Sequence, residues 1–448
     1  MKIPEILLVE SQHKPGSLAK ILQVIGECGL VIQNLDAIRR DQDKTVWEIT
    51  LEMDEDAYIN VGARISDLPN ARLLGKSDRV FNRHQGGKIR TQSVLPIDTL
   101  QELRDIYTPG VARVCLAIQK EPSLAAKYTA LNKTVAIVTN GTAILGLGDI
   151  GAVPGLPVME GKAALFAKLV GLNGVPILTE LDDADEIVRT IKNIAPSFGA
   201  IQLEDIAAPT CFDIEQRLQA ELDIPVLHDD QHGTAVVALA ALLTATRRVG
   251  VSLKDHSVGQ IGLGAAGIGI VRLLKKYGVT KLLGTDLSET ALDMLEAEGG
   301  QRATLDELMA KADIVVATTG VKGLIKPSMV RKGQLILALS NPDPEIEPRE
   351  ALAQGAAFAA DGKGINNVLG FPGLFKGALD AGARQFTDAM LIAAAETLAL
   401  TSPENELVPD PLKPEVHQAV AEAVAFAARH GSFDDDADSD PSPAAGNG

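Results

Sequence analysis

Between Ser257 and Asp286 the chain reads SVGQIGLGAAGIGIVRLLKKYGVTKLLGTD. A short apolar run leads into Gly262-x-Gly264-x-x-Gly267. IGIVRLLKKY follows with helical apolar spacing and is closed by Gly278, and KLLGTD forms a second apolar run ending on Asp286. Strand, glycine turn, helix and strand in this order fold only as a parallel βαβ unit, because the short crossover packs back on the sheet in one hand. The glycines admit a close backbone approach, the helix N-terminus attracts a pyrophosphate, and an acid at the end of the second strand suits ribose hydroxyls. Gly262, Gly264, Ala265, Ala266, Gly267 and Asp286 are therefore candidate dinucleotide-binding residues. Asp286 is followed by Leu287-Ser288-Glu289 with no nearby Arg or Lys for a 2′-phosphate, which favours NAD over NADP.

A second match to the glycine spacing is Gly146-x-Gly148-x-x-Gly151. It is followed by AVPGLPVME, where two prolines and a glycine predict no immediate helix. The next helix is expected to begin near Gly161, so this loop should line something other than a pyrophosphate.

Around these loops, apolar runs alternate with helical stretches. VAIVTN, VPILTE, AIQLED and IPVLHD form one series, and SVGQIGLG, KLLGTD, ADIVVATT, GQLILALSN and AAFAAD the next. This predicts an α/β fold with two parallel-sheet lobes, at 91–228 and 229–430. The apolar stretch TAVVALAALLTAT at 234–246 is too short to span a bilayer and reads as a buried helix. The net charge of −17 argues against nucleic acid and anionic membranes as partners. Three scattered cysteines suggest neither disulfides nor zinc and suit a reducing cytoplasm. The tail 431–448, SFDDDADSDPSPAAGNG after Gly431, has a disordered composition.

Residues 1–82 read as βαββαβ, a small α+β ferredoxin-like unit, with ARLLGKSDRVF as its last strand and a linker at 83–90. The turn His13-Lys14-Pro15-Gly16-Ser17-Leu18 resembles that of the ACT domain, although His13 stands where such domains usually carry an aspartate. The resemblance implies a regulatory module, with Pro15, Gly16 and Ser17 as a site for a small effector such as an amino acid, and pairing into a homo-oligomer.

In the first lobe, two strands end in paired acids, Glu204-Asp205 and Asp229-Asp230. Ligands of parallel α/β sheets bind beyond the carboxyl ends of strands, so these acids should converge and call for a hard divalent cation, Mg2+ or Mn2+. Several longer motifs accompany them: Tyr107-Thr108-Pro109-Gly110-Val111-Ala112, Glu160-Gly161-Lys162-Ala163, Leu203-Glu204-Asp205-Ile206, His228-Asp229-Asp230-Gln231-His232-Gly233-Thr234, Ser340-Asn341-Pro342 and Asn366-Asn367-Val368-Leu369-Gly370-Phe371-Pro372. In this order they resemble the malic enzyme family, over residues 84–382.

The resemblance implies oxidative decarboxylation of (S)-malate to pyruvate and CO2. Lys162 would be the general base and Tyr107 the general acid. Glu204, Asp205 and Asp230 would be the metal ligands, with Asp229 beside the lysine. Asn341, Asn366 and Asn367, with Tyr107 and Lys162, would hold substrate, and Asn341 would also face the cofactor. To act as a base near neutral pH, Lys162 needs its pKa lowered by about 3 units from the ordinary value near 10.4, which desolvation and a dication can supply. Two other readings share parts of these motifs: a malolactic-type converter of malate, and a catalytically silent ACT-fused nucleotide-binding sensor.

Overall fold

The computed structural model describes residues 4–431 apart from 54, 78, 145–146 and 342. The chain divides into two compact units, Met1–Arg90 and Thr91–Gly448. The acidic tail from residue 432 onward lies outside the described residues.

The first unit runs β1 (Pro4–Gln12), α1 (Ser17–Glu27), β2 (Ile32–Arg40), β3 (Lys44–Glu52), α2 (Glu55–Ser66) and β4 (Ala71–Lys76). The strands form one antiparallel sheet in the order β2-β3-β1-β4, the ferredoxin-like arrangement expected from the element order. Helix α1 buries Ile21, Val24 and Ile25, one helical face, in a core with Leu7, Val9, Ile49 and Leu51 of the sheet. The last strand stops at Lys76, and Arg79–His84, expected to continue it and open the linker, forms helix α3 instead. Arg83 lies in its last turn, where the helix dipole favours a cation.

The second unit opens with three short helices, α4 (Leu100–Ile106), α5 (Val111–Lys120) and α6 (Leu124–Tyr128), none of which buries a residue. An α/β lobe follows: β5 (Thr134–Thr139), α7 (Ala152–Val170), β6 (Asn173–Leu178), α8 (Ala184–Ile194), β7 (Ala200–Leu203), α9 (Thr210–Glu221) and β8 (Val226–His228). Its parallel sheet has the order β6-β5-β7-β8, so the chain reverses direction of progression beside β5.

Helix α10 (Asp229–Val249), buried along most of its length, leads into β9 (Val258–Ile261), α11 (Ala265–Tyr277), β10 (Leu282–Thr285), α12 (Glu289–Ala297), β11 (Gln301–Arg302), α13 (Leu305–Lys311), β12 (Ile314–Ala317), β13 (Leu335–Ala338), α14 (Pro348–Ala353) and β14 (Phe358–Asp361). This sheet has the order β11-β10-β9-β12-β13-β14 and is parallel throughout. It is a doubly wound Rossmann-type sheet with its switch point between β9 and β12. The closing helices α15 (Phe371–Ala381), α16 (Asp388–Thr401) and α17 (Pro414–His430) return to the first lobe, where Phe371 and Phe375 meet Phe166 of α7 edge-on. No helix among the described residues is long and apolar enough to cross a membrane.

One expectation fails outright. Helix α7 starts at Ala152, directly after Gly151, rather than near Gly161. Pro154 occupies the first turn, where its missing N–H would have had no helical partner, so only Pro157 interrupts the ladder. Gly155 is needed there for a different reason: a Cβ would come within 2.7 Å of buried Ile144.

Candidate active site

The functional side chains gather at the carboxyl ends of β5, β7 and β8. Glu204 and Asp205 follow β7, while Asp229 and Asp230 are the first two residues of α10. One carboxylate oxygen from each of Glu204, Asp205 and Asp230 can be chosen so that all three lie within 4.8 Å of one another. Asp205 takes a left-handed φ of 53°, rare for a residue with a side chain, and its N–H donates to Asp230 Oδ2 at 2.9 Å. Three converging carboxylate oxygens form a hard-oxygen donor set that fits Mg2+ or Mn2+.

Lys162, in the middle of α7, reaches this cluster. Its Nζ donates to Asp229 Oδ2 at 2.5 Å and lies 2.9 Å from Glu204 Oε1. The Phe371 ring covers the ammonium, with its centroid 4.5 Å away. Burial disfavours the lysine charge, but Asp229 and Glu204 outweigh it and hold the pKa above the ordinary lysine range. The expectation set a lowered value with a dication present; the protein's own carboxylates act in the opposite sense and favour the charged ammonium. Burial pushes Glu204 well above the usual carboxylate range against the pull of Lys162, with Asp229, Asp230 and Asp205 adding to the rise. Burial also raises Asp229 despite its ion pair.

The surrounding residues fix this geometry. Gln202, fully buried, donates to Glu204 Oε2 at 2.5 Å. Glu215 of α9 accepts from the His228 N–H at 2.7 Å, from Gln231 Nε2 at 3.0 Å and contacts His232 Nε2 at 3.1 Å, clamping the start of α10. At Gly233 a Cβ would lie 1.9 Å from Asp229 Oδ1, so only glycine leaves that carboxylate in place. Gln202 and Glu215 had no role in the sequence reading, and Phe371 entered it only as part of a motif. Glu215 sits mid-helix without a local signature.

The first glycine loop borders the cluster. It follows β5 at the switch point of its sheet, where ligands of such sheets bind. Ala143 N–H donates to the Asp205 carbonyl at 3.0 Å and Ala207 N–H to Thr142 Oγ1 at 3.0 Å. Gly141 and Gly151 cross so closely that a Cβ on Gly141 would lie 2.2 Å from the Gly151 carbonyl carbon. Gly146 lies outside the described residues.

The second glycine loop opens α11 directly. A Cβ on Gly267 would lie 2.0 Å from the Gly262 carbonyl oxygen, whereas at Gly264 it would meet open space. Ala265 and Ala266 form the first helical residues behind it. A cavity of about 510 Å3 is lined by Gly262, Gly264, Asp286, Leu287, Thr318 and Thr319 among others. Asp286 accepts from Leu263 N–H at 2.6 Å and Ser288 N–H at 2.9 Å, so it braces the glycine loop beside this cavity.

Other predicted positions are not joined to the cluster by side-chain bonds. Tyr107 caps α4, is 67% exposed, and its hydroxyl makes no hydrogen bond among the described residues. Asn341 Nδ2 donates to the Gly362 carbonyl at 3.1 Å, and Asn366 Oδ1 accepts from Val368 N–H at 3.0 Å, both shaping turns. Asn367 lies beside Gly233, where a Cβ would stand 3.6 Å from its own. In the first unit, Pro15, Gly16 and Ser17 line a cavity of about 320 Å3 with His13, Thr45 and Trp47.

A Rossmann-type lobe beside an α/β lobe that carries a buried lysine and a carboxylate cluster defines a dinucleotide-dependent oxidoreductase. Comparison with known proteins narrows the class. The N-terminal domain of malic enzyme matches residues 86–182 and 179–219, and the malic enzyme NAD-binding domain matches 231–300 and 286–430. NAD-dependent malic enzyme 1 of Bacillus subtilis is 52% identical over 425 residues, covering 94% of this chain and 97% of that protein. The bifunctional malic/malolactic enzyme of the same organism is 40% identical over 369 residues, covering 76% and 90%. The crystal structure of malic enzyme from Pyrococcus horikoshii superposes with a TM-score of 0.75 at 38% identity, covering 79% of this chain and 90% of that one. The chain belongs to the malic enzyme family.

Proposed function

We infer that this protein oxidatively decarboxylates (S)-malate to pyruvate and CO2 with reduction of NAD, and that Lys162, Asp229 and the carboxylates Glu204, Asp205 and Asp230 carry the reaction. The observation that supports this best is the buried Lys162–Asp229–Glu204 constellation directly beside the three-carboxylate cluster.

Lys162 must lose a proton before it can accept one. Asp229 Oδ2, hydrogen-bonded to Nζ and raised in pKa by burial, is the group placed to take it. Neutral Nζ then removes the proton of the malate C2 hydroxyl as hydride leaves C2 for the nicotinamide. A divalent cation held by Glu204, Asp205 and Asp230 would supply Lewis-acid polarisation of the C2 oxygen. Phe371 keeps water from the lysine. After loss of the C4 carboxylate, Tyr107 is assigned the protonation of C3. That role requires the arm of α4 and α5 to deliver Tyr107 to the cluster. The exposed apolar residues Leu100, Leu103 and Leu116 on the same arm support assembly of a homo-oligomer that would bury it. Asn341, Asn366 and Asn367 are assigned to substrate, and Asn341 also to the cofactor.

We assign residues 1–82 to an ACT-like regulatory domain, 83–90 to a linker, 91–228 to the substrate and metal domain and 229–430 to the NAD-binding domain. The sheet order of the first unit and the cavity at Pro15-Gly16-Ser17 support the regulatory reading. The test is one assay series on the full chain: malate with NAD, with and without Mn2+ and EDTA, following NADH, pyruvate and lactate, then repeated with each of the 20 amino acids. NADH and pyruvate formed only with the cation support the assignment. Lactate without net NADH would show malolactic chemistry, and no response to any amino acid would remove the effector reading.

A further inference from the structure

Glu345 is fully buried, yet no Lys, Arg or His lies within ion-pair reach of it among the described residues. Among the described residues its carboxylate is met only by neutral donors. Thr319 N–H at 2.7 Å, Thr319 Oγ1 at 2.9 Å and Ser340 Oγ at 2.5 Å converge on Oε1, and Ser340 N–H reaches Oε2 at 3.4 Å. Ser340 Oγ in turn accepts from Gly320 N–H at 2.7 Å. Backbone bonds add to the same seam, Ile325 N–H to the Glu345 carbonyl at 3.0 Å and Gly323 N–H to the Pro344 carbonyl at 3.2 Å. The loops leaving β12 and β13 are thus zipped together around one carboxylate.

Those loops stand on a defined half of the cofactor cleft. In the order β11-β10-β9-β12-β13-β14, Asp286 at the end of β10 marks the side of the adenosine ribose, and the other half of a dinucleotide crosses the switch point toward β12 and β13. Thr319, in direct contact with Glu345, lines the cavity, and Ser340 immediately precedes Asn341. A buried carboxylate with no cationic partner is costly, and here hydrogen bonds alone offset that cost. The nicotinamide ring is cationic when oxidised and neutral when reduced, so a fixed negative charge just behind its binding wall distinguishes the two.

We propose that Glu345 is a positioning residue that clamps the β12 and β13 loops into the nicotinamide wall and, through its charge, biases the site toward the oxidised cofactor. The inference rests on the NAD reading of the cleft but not on malate chemistry. The test is equilibrium binding of NAD and of NADH to the full-length protein without malate or metal, for wild type, Glu345→Gln and Ser340→Ala. Glu345→Gln should weaken NAD at least about fivefold more than NADH, a magnitude ordinary for one charge acting at short range inside a protein. Ser340→Ala keeps the charge and loosens the clamp, so NAD and NADH should both bind more weakly while the NAD-to-NADH affinity ratio stays at the wild-type value. An unchanged ratio in Glu345→Gln, or unchanged affinities for both nucleotides in Ser340→Ala, overturns the proposal, and the second result is available even if Glu345→Gln does not fold. Failure of wild type to bind either nucleotide would instead refute the cofactor reading itself.

Discussion

Lys162 Nζ and Asp229 Oδ2 lie 2.5 Å apart where water hardly reaches, the two side chains being 10% and 0% exposed. The pair joins a helix of the first lobe to the first residue of α10, and Glu204 approaches the same ammonium at 2.9 Å. Both carboxylates favour the charged form of the lysine, and the shorter of the two routes for its proton leads to Asp229.

That route is open to test. Asp229→Asn keeps the size but removes the proton acceptor. It should lower kcat by about 100- to 10,000-fold, the range for loss of a general-base function. Lys162→Ala should fall at least as far. Steady-state rates on malate with saturating Mn2+ decide it, and a kcat within threefold of wild type in Asp229→Asn would end the relay.

Asp230→Asn addresses the metal set. Asp230 Oδ2 accepts the Asp205 N–H, so the amide should retain part of the geometry while losing a charge. Half-activation should need about 10- to 100-fold more Mn2+. Activity titrations against buffered Mn2+ measure this, and full activity of the wild type in excess EDTA would remove the metal altogether.

Cofactor choice should follow Asp286. It braces Leu263 N–H, and Leu287 beside it is fully exposed with no cation adjoining in sequence. Wild type should prefer NAD over NADP, and Asp286→Ser should narrow the preference by about tenfold or more, losing NAD efficiency as the brace goes. Ratios of kcat/KM for the two nucleotides are the measurement. A wild-type ratio favouring NADP contradicts the reading.

His417 predicts an acid sensitivity. It is fully buried on α17, and burial lowers its pKa below the ordinary 6.5 even though Nε2 bonds the Pro411 carbonyl at 2.8 Å. Below about 6.5 the unfolded chain takes a proton that the folded chain refuses, so stability is full above that pH and declines as pH falls toward the lowered folded value. The slope from this one group is at most about 1.4 kcal/mol per pH unit. His417→Gln keeps a donor for Pro411 and should flatten the loss between pH 6.5 and 5 in denaturant titrations. An unchanged slope would show that other groups set it.

The local signals were legible because they act within one turn or one strand. The Gly262–Asp286 stretch announced its strand, loop, helix and acid, and each forms as read, since periodicity and glycine conformation are decided by neighbours in the chain. The paired acids at two strand ends were visible for the same reason, and parallel-sheet topology made their meeting foreseeable. Sequence alone misjudged α7, because prolines in a helix's first turn look the same as breakers until the turn is located. The Lys162 environment belonged wholly to the tertiary structure: its charge is decided by Asp229 and Glu204, 67 and 42 positions along the chain, brought within ion-pair distance by packing. Glu215 and Glu345 carry no local mark at all. A glutamate in a helix or a turn is ordinarily a solvated charge, and only folding, by removing water and supplying donors from distant segments, turns these two into buried hubs.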